Sequence, residues 1–164
     1  MTLELQSMRW LRWERRCPIV LSERSPREWP CGRPDVLGVS ASRHLIEVEI
    51  KRSVTDFRAD QQKPCRRARA GFKDKAPREF YYLVPVELVD KVRPLLPPWA
   101  GLLAGNGCIH QVFKSPTNHD ATRLTVRECI RLVYLVSNEA ISAWEACERT
   151  KQPLCQHTND ATTA

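Results

Sequence analysis

The sequence lacks a long apolar segment. No apolar run in this chain of 164 residues approaches the length of ~20 residues that a membrane-spanning helix needs. The N-terminal segment carries charged residues from Glu4 to Arg16 without an uninterrupted apolar stretch, so we expect no secretory signal. Together these absences predict a cytoplasmic protein that does not associate with membranes.

Closely spaced cysteine pairs are also missing. The seven cysteines stand at positions 17, 31, 65, 108, 129, 147 and 155, and no two of them form a CxxC pair. An odd count without a secretory context argues against a disulfide framework. A structural zinc site usually takes paired ligands from short spacings. We therefore predict reduced thiols, and a zinc-stabilised domain that uses cysteines together with His110 is the alternative.

Acidic residues are scarce in one segment of the chain. Between Lys51 and Arg78 there are ten Lys or Arg and three Asp, so this segment accounts for the whole formal net charge of +7. The remainder of the chain balances, with sixteen basic and sixteen acidic residues. A concentrated basic segment favours a polyanionic partner, and nucleic acid is the first candidate.

The first part of the chain alternates apolar and polar residues in a way that predicts one helix and three strands: Leu3–Trp13, Cys17–Leu21, Asp35–Val39 and Leu45–Lys51. Ser40–Arg43 is the turn between the last two strands, which therefore form a hairpin. A second helix is expected to begin at Ser53, because an Asp three residues later completes a weak capping box. This helix is expected to run through Asp60 to Gln62, until Pro64 interrupts it.

The rest of the chain is predicted to contain further strands, a short helix and a long helix: Phe80–Val84, Val86–Val92, Leu102–Ala104, Cys108–Phe113 and Thr122–Cys147. A capping box of Thr125 with Glu128 lies just inside the start of the long helix. The apolar stripe of this helix has five members, with Ile141 beside them: Val126, Ile130, Val133, Ala140 and Trp144. Packing on the core and contact with another chain explain such a stripe equally well.

The order of these elements predicts an α/β fold. A helix, three strands, a helix and a strand, followed by a long C-terminal helix, indicate a mixed sheet with flanking helices. Residues 1–149 are interpreted as one domain, and residues 150–164 as a polar, disordered tail. The oligomeric state stays open between a monomer and a homodimer.

The strand Leu45–Lys51 places chemically useful side chains on one face, because every second residue of a strand points the same way. Glu49 and Lys51 share that face and stand ~7 Å apart, and hairpin pairing can bring Asp35 beside Glu49. Two adjacent carboxylates repel each other unless a cation is present, and magnesium prefers oxygen ligands. Asp35, Glu49 and the backbone carbonyl of Ile50 are therefore candidate ligands for Mg²⁺ or Mn²⁺. Glu47 shares the face and is expected to point into solvent.

Pro34-Asp35, a short spacer and Glu49-Ile50-Lys51 resemble the signature of the PD-(D/E)xK nuclease superfamily. Residues 20–103 resemble the MmcB-like DNA repair nucleases in the order and spacing of further residues: Ser53, Asp56-Phe57, Asp60, Phe80–Pro85, Pro97 and Gly101–Leu103. Glu23 also matches a glutamate on the first strand of that family, and Arg33 matches an arginine before its aspartate.

The resemblance implies a restriction-endonuclease-like fold and metal-dependent hydrolysis of phosphodiester bonds in DNA, in repair or processing. It implies Asp35, Glu49 and Lys51 as the catalytic core, with Lys51 orienting the attacking water or helping to deprotonate it. Glu23 is expected to add an outer-sphere or second-metal contact.

Contacts to the DNA backbone are expected from eight residues: Arg33, Gln61, Lys63, Arg66, Arg67, Arg69, Lys73 and Lys75. Asp60 is expected to pair with Lys63 or a nearby arginine. The family carries a lysine followed by tryptophan, whereas Pro64 and Cys65 follow Lys63 here, so the substrate preference is not carried over. A non-catalytic nucleic-acid-binding module on the same fold and an interaction protein with an acidic partner stay open as alternatives.

Overall fold

The computed structural model describes residues 1–22, 34–63 and 76–151. In these ranges six strands form one open sheet in sequence order: β1 Ile19–Ser22, β2 Val36–Val39, β3 Leu45–Ile50, β4 Glu79–Pro85, β5 Gly101–Gly105 and β6 Ile109–Phe113. The pairs β1–β2, β2–β3 and β5–β6 are antiparallel, whereas β3–β4 and β4–β5 are parallel. The predicted mixed sheet with flanking helices is confirmed.

The helices of the described ranges lie before, between and after these strands: α1 Leu3–Arg9, which continues as a π-helical segment over Trp10–Glu14, α2 Val54–Gln61, α3 Val89–Val92 between two 3₁₀ turns, and α4 Val126–Lys151. Ser53 caps α2 as predicted, since its hydroxyl accepts the backbone N–H of Asp56 at 3.1 Å. Over the same ranges, no helix has both the length and the apolar character that crossing a membrane requires.

Helices cover both faces of the sheet. On one face Leu11 of the π-helical segment belongs to the same buried cluster as Val48 of β3. On the other face the Phe57 ring of α2 contacts the Tyr82 ring of β4, with centroids 4.6 Å apart. Leu132 of α4 is buried on that second face, against residues of β1, β2 and β3. The central strand β3 is therefore covered on both sides, which decides the environment of its charged residues.

The long helix α4 begins at Val126, later than the predicted Thr122, because its capping box lies there. The backbone N–H and the hydroxyl of Thr125 both donate to Glu128 Oε2 at 2.7 Å, and the Glu128 N–H donates to the Thr125 hydroxyl at 3.2 Å. The helix runs on through Lys151, into the predicted tail. The remaining residues 152–164 lie outside the described residues.

Gly101 of β5 lies against the Tyr81 ring. A Cβ at this position would stand 2.5 Å from two ring carbons and 2.6 Å from the backbone nitrogen of Ser115. We expect Gly101→Ala to lower the free energy of unfolding by about 1–3 kcal/mol, because neither a packed ring nor a backbone atom can give way easily. Urea denaturation measures the change.

Gly38→Ala is the matched control for this prediction. Its Cβ would meet the ends of the Leu11 and Cys17 side chains, at 2.9 and 3.0 Å, and a flexible side chain can move aside. A smaller loss of stability is expected for Gly38→Ala than for Gly101→Ala. Equal losses, or a larger one at Gly38, would contradict the packing of Gly101 against Tyr81.

Candidate active site

The β2–β3 hairpin brings Asp35 to the end of β3. Val36 pairs with Val48, so one further step along the antiparallel register places Asp35 across from Glu49. Residues opposite each other share a face and have Cβ atoms ~4.5–5.5 Å apart. Asp35 Oδ2 accepts the backbone N–H of Ile50 at 2.7 Å, which fixes the carboxylate at this corner. The predicted proximity of Asp35 and Glu49 follows directly from this register.

The Ile50 carbonyl faces the same corner. The neighbouring Lys51 N–H donates to the Leu83 carbonyl of β4 at 2.9 Å, so Ile50 directs its own N–H and C=O towards β2. Continuing the register places Pro34 opposite Ile50. Because proline has no N–H, the β2–β3 ladder offers no donor to this carbonyl. The Pro34-Asp35 pair therefore positions a carboxylate and leaves a backbone oxygen beside it.

Glu49 and Lys51 form a buried ion pair on the face of the sheet that Glu49 shares with Asp35. Lys51 Nζ lies 3.1 Å from Glu49 Oε2, and the two side chains are only 5% and 4% exposed. The alternation of β3 places both on the face that α2 and α4 cover. An ion pair this deep loses most of its hydration, so it requires further polar partners.

Asp60 of α2 supplies such a partner. Its side chain is fully buried, and Oδ1 lies 3.1 Å from Lys51 Nζ and 2.6 Å from Lys63 Nζ. Its Oδ2 accepts the Tyr82 hydroxyl at 3.0 Å. The pairing of Asp60 with Lys63 was expected, but its contact with Lys51 was not. The sequence did carry a signal for this contact. Asp60 follows the apolar Phe57 by three residues, so Phe57 and Asp60 lie on the same, buried side of α2.

The two carboxylates determine the charge state of Lys51. Burial lowers the pKa of the Lys51 ammonium, but the neighbouring Glu49 and Asp60 raise it by more, so the pKa lies above its ordinary 10.5. Lys51 therefore carries a positive charge at neutral pH. Glu49 of the sheet and Asp60 of α2 hold this charge in a fixed position.

Glu47 corrects one expectation. It was expected to point into solvent, yet it is 1% exposed. It shares its face with Glu49, and that face lies between the cluster around Phe57 of α2 and the cluster around Leu132 of α4. Because β3 is the third of six strands, it has neighbours on both edges. The clusters that α2 and α4 form on these neighbouring strands exclude water from Glu47.

An open cleft of about 280 Å³ leads to Asp35. Five residues line it: Glu4, Asp35, Ile50, Arg52 and Asp56. Asp56 also lies in the first turn of α2, as expected of a helix-start residue, but its place in the cleft was not anticipated from the sequence. Arg52 was likewise missed, although its position directly after Lys51 in a basic segment was a usable signal.

The predicted nucleic-acid contacts are only partly described. Lys63 is 54% exposed and pairs with Asp60, whereas the Gln61 amide donates to the Leu95 carbonyl at 2.8 Å. Gln61 is therefore engaged with the loop before β5. The other predicted residues lie outside the described ranges: Glu23, Arg33, Arg66, Arg67, Arg69, Lys73 and Lys75.

The oxygen donors at the corner fit a hard divalent cation. Two carboxylates and a backbone carbonyl form the donor set that magnesium and manganese accept, since magnesium usually keeps several waters and binds one or two carboxylates. No cluster of three or more His, Cys, Asp or Glu side chains occurs in the described part of the chain. Asp35, Glu49 and the Ile50 carbonyl would hold a single cation with water completing its shell.

The alternative of a zinc site involving His110 has two neighbouring ligands. Cys108 Sγ lies 3.2 Å from His110 Nε2 at the start of β6. A structural zinc ion takes four protein ligands. Within residues 1–22, 34–63 and 76–151, the Cys108–His110 pair is not joined by the further ligands that such a site requires.

Comparisons with known proteins establish the fold and leave the chemistry open. No protein-family model matches the chain, and no curated protein matches it. The solved structure of a protein of unknown function from Silicibacter pomeroyi is similar to it, with a TM-score of 0.57 and 18% sequence identity. The match covers 94% of this chain and 93% of that one. At this identity the likeness concerns the fold alone.

Proposed function

We propose that this chain is a Mg²⁺- or Mn²⁺-dependent nuclease that hydrolyses phosphodiester bonds of DNA. The observation that supports this proposal best is the corner of the sheet where the start of β2 lies beside the end of β3. There Asp35, Glu49 and the Ile50 carbonyl offer oxygen donors, and Lys51 holds a positive charge between two carboxylates. Pure binding of DNA requires no lysine enclosed by acids. The resemblance to PD-(D/E)xK nucleases in Pro34-Asp35 and Glu49-Ile50-Lys51 points to the same chemistry.

The residues of the corner divide the work of hydrolysis. Asp35 and Glu49 would hold the cation, which would supply Lewis-acid polarisation of a phosphate oxygen and a lowered pKa of its bound water. The Ile50 N–H holds the Asp35 carboxylate in place. The Lys51 ammonium orients the attacking water and offsets negative charge that develops on the phosphorus oxygens. Asp60 and the Tyr82 hydroxyl hold Lys51 in position, as a fixed and water-excluded support.

The basic segment between Lys51 and Arg78 provides the affinity for the substrate. Arg52 lies in the cleft beside Asp35, and Lys63 is exposed at the end of α2. Phosphate contacts of this kind position a duplex or a single strand without reading its sequence. We therefore expect binding that weakens steeply as the salt concentration rises.

A panel of labelled DNAs tests the proposed function. Supercoiled, linear, single-stranded and forked DNA would be incubated with the protein in magnesium, manganese or EDTA. We expect cutting of at least one form with a metal ion and none with EDTA. The absence of cutting from a folded preparation under every condition contradicts the proposal, as does equal cutting in EDTA.

A non-catalytic DNA-binding module is the second candidate. The contact of Glu49 with Lys51 favours it, because this ion pair satisfies the carboxylate without a metal ion. Tight, salt-dependent binding of the same DNA panel with no cutting in magnesium or manganese would establish this module. Binding that strengthens with manganese and is followed by cutting would exclude it.

A further inference from the structure

Helix α4 packs on the sheet through only one of its two apolar faces. The buried face consists of Leu132, which is 1% exposed, with the half-buried Cys129, Leu135 and Val136. All four lie in the N-terminal half of the helix. This face accounts for how α4 attaches to the domain.

The second apolar face of α4 points into solvent. Its apolar members stand at 126, 130, 133, 140 and 144, and with Ser137 between them the intervals alternate between four and three residues. With ~3.6 residues per turn, they lie roughly 80–160° around the helix from Leu132. The large members are Val126, Ile130, Val133 and Trp144, and their exposures range from 48% to 70%. This is the predicted stripe, and core packing does not explain it.

The alternating interval is the heptad repeat of a two-helix interface. Residues 130, 137 and 144 occupy a positions, and residues 126, 133, 140 and 147 occupy d positions. Tyr134 and Ile141 both fall at the flanking e position and are 67% and 57% exposed. Large apolar side chains in a continuous exposed stripe indicate a protein contact rather than ordinary surface.

The charges of the helix identify a second copy of this chain as the partner. Within α4, residues 126–138 contain two Arg and one Glu, whereas residues 139–151 contain three Glu, one Arg and one Lys, so the two halves carry formal charges of +1 and −1. An antiparallel pair places the basic half of each helix against the acidic half of the other. A two-fold axis makes such a surface complementary to itself.

The side-chain sizes agree with the same register. A two-fold axis that crosses the helix pair between residues 138 and 139 defines this register. The a and d layers then pair Ile130 with Cys147, Val133 with Trp144 and Ser137 with Ala140. The small residues meet at the centre, where the helices approach most closely. At the flanks Tyr134 of each helix meets Ile141 of the other, which extends the apolar contact.

We propose that the protein forms a homodimer through an antiparallel pairing of α4 helices along Ile130, Val133, Ala140 and Trp144. The α4 face with Cys129, Leu132 and Leu135 stays on the sheet in this arrangement, so the domain does not have to rearrange. The proposal is independent of the nuclease activity.

Light scattering of the full-length protein after size exclusion tests the dimer. The measured molar mass of the wild type is expected to be twice the chain mass of 18.9 kDa. Val133→Lys is expected to elute as a monomer with an unchanged helical circular dichroism spectrum. Val86→Lys is the matched control, because Val86 is 46% exposed and Val133 48%, and Val86 lies far from α4 in the chain. This control is expected to stay dimeric, and a monomeric wild type at micromolar concentration overturns the proposal.

A cross-link tests the direction of the pairing and does not depend on Val133→Lys folding. Ile130→Cys is expected to form a covalent dimer with Cys147 of the second copy under a mild oxidant such as copper phenanthroline, which accepts the two electrons as both thiols lose their protons. The wild type and the double variant Ile130→Cys with Cys147→Ser should stay uncrosslinked. A cross-link that persists in the double variant indicates parallel helices and overturns the antiparallel arrangement.

Discussion

Replacing Lys51 with methionine is expected to reduce metal-dependent DNA cleavage by about 10²–10³-fold, the usual effect of losing one group that stabilises transition-state charge. Methionine keeps most of the length and apolar contact of lysine and removes only the ammonium. The ammonium is held between Glu49 and Asp60, so no other cation of the described site occupies its position. The binding of DNA should fall much less than the rate.

Single-turnover cleavage with saturating protein separates these two effects, and fluorescence anisotropy gives the affinity. Lys91→Met serves as the control, since Lys91 is an exposed lysine of α3, outside the proposed site. The rate for Lys91→Met should equal that of the wild type. A Lys51→Met rate within a few fold of the wild type would remove Lys51 from the catalytic core.

Replacing Asp60 with alanine is expected to lower the free energy of unfolding by about 3–5 kcal/mol, the usual cost of breaking a buried ion pair from one side. The variant loses both contacts of Oδ1 with lysines and the acceptor for the Tyr82 hydroxyl. Lys51 is left with Glu49 in a site that excludes water.

Urea denaturation followed by circular dichroism measures this loss. Asp90→Ala is the matched control, because Asp90 is exposed on α3, and its effect should stay within about 0.5 kcal/mol. Tyr82→Phe removes a single hydrogen bond and should cost about 0.5–1.5 kcal/mol. An Asp60→Ala variant as stable as Asp90→Ala would show that the buried network contributes little.

The β2–β3 hairpin, and the pairing of Asp35 with Glu49 that follows from it, could be predicted from the sequence because they depend on local patterns. Alternation along Leu45–Lys51 places Glu49 and Lys51 on one face, and the short turn at Ser40–Arg43 fixes the register that brings Asp35 opposite Glu49. The caps at Ser53 and Thr125 follow from short-range hydrogen bonds in the same way. Each of these features is determined by residues close together in the chain.

Features that depend on the second layer of the fold were not accessible. Alternation shows that Glu47 shares a face with Glu49, but only the placement of α2 and α4 shows that this face is covered. The contact between Asp60 and Lys51 likewise depends on how α2 crosses β4. Charged residues are exposed in most proteins, which is why Glu47 was expected to point into solvent. That expectation fails on a central strand that carries a buried polar site.

Helix α4 illustrates a different limit. Its sequence carries two apolar stripes, one through Leu132 and one through Val133, and periodicity alone does not reveal which stripe meets the sheet. The stripe through Val133 is the exposed one, and the stripe through Leu132 packs on β1–β3.

The cleavage rate of Asp35→Asn beside that of Asp56→Asn tests the proposed metal centre most directly. Asparagine keeps a carbonyl oxygen for the Ile50 N–H and removes the negative charge that a divalent cation requires, so the fold should be unaffected. Asp56 lines the same cleft and receives the same chemical change. With manganese and a DNA that the wild type cuts, we expect Asp35→Asn to lose about 10²-fold or more of the rate, while Asp56→Asn keeps most of it. Full activity of Asp35→Asn, or an equal loss in both variants, would contradict the assignment of Asp35 as the metal ligand.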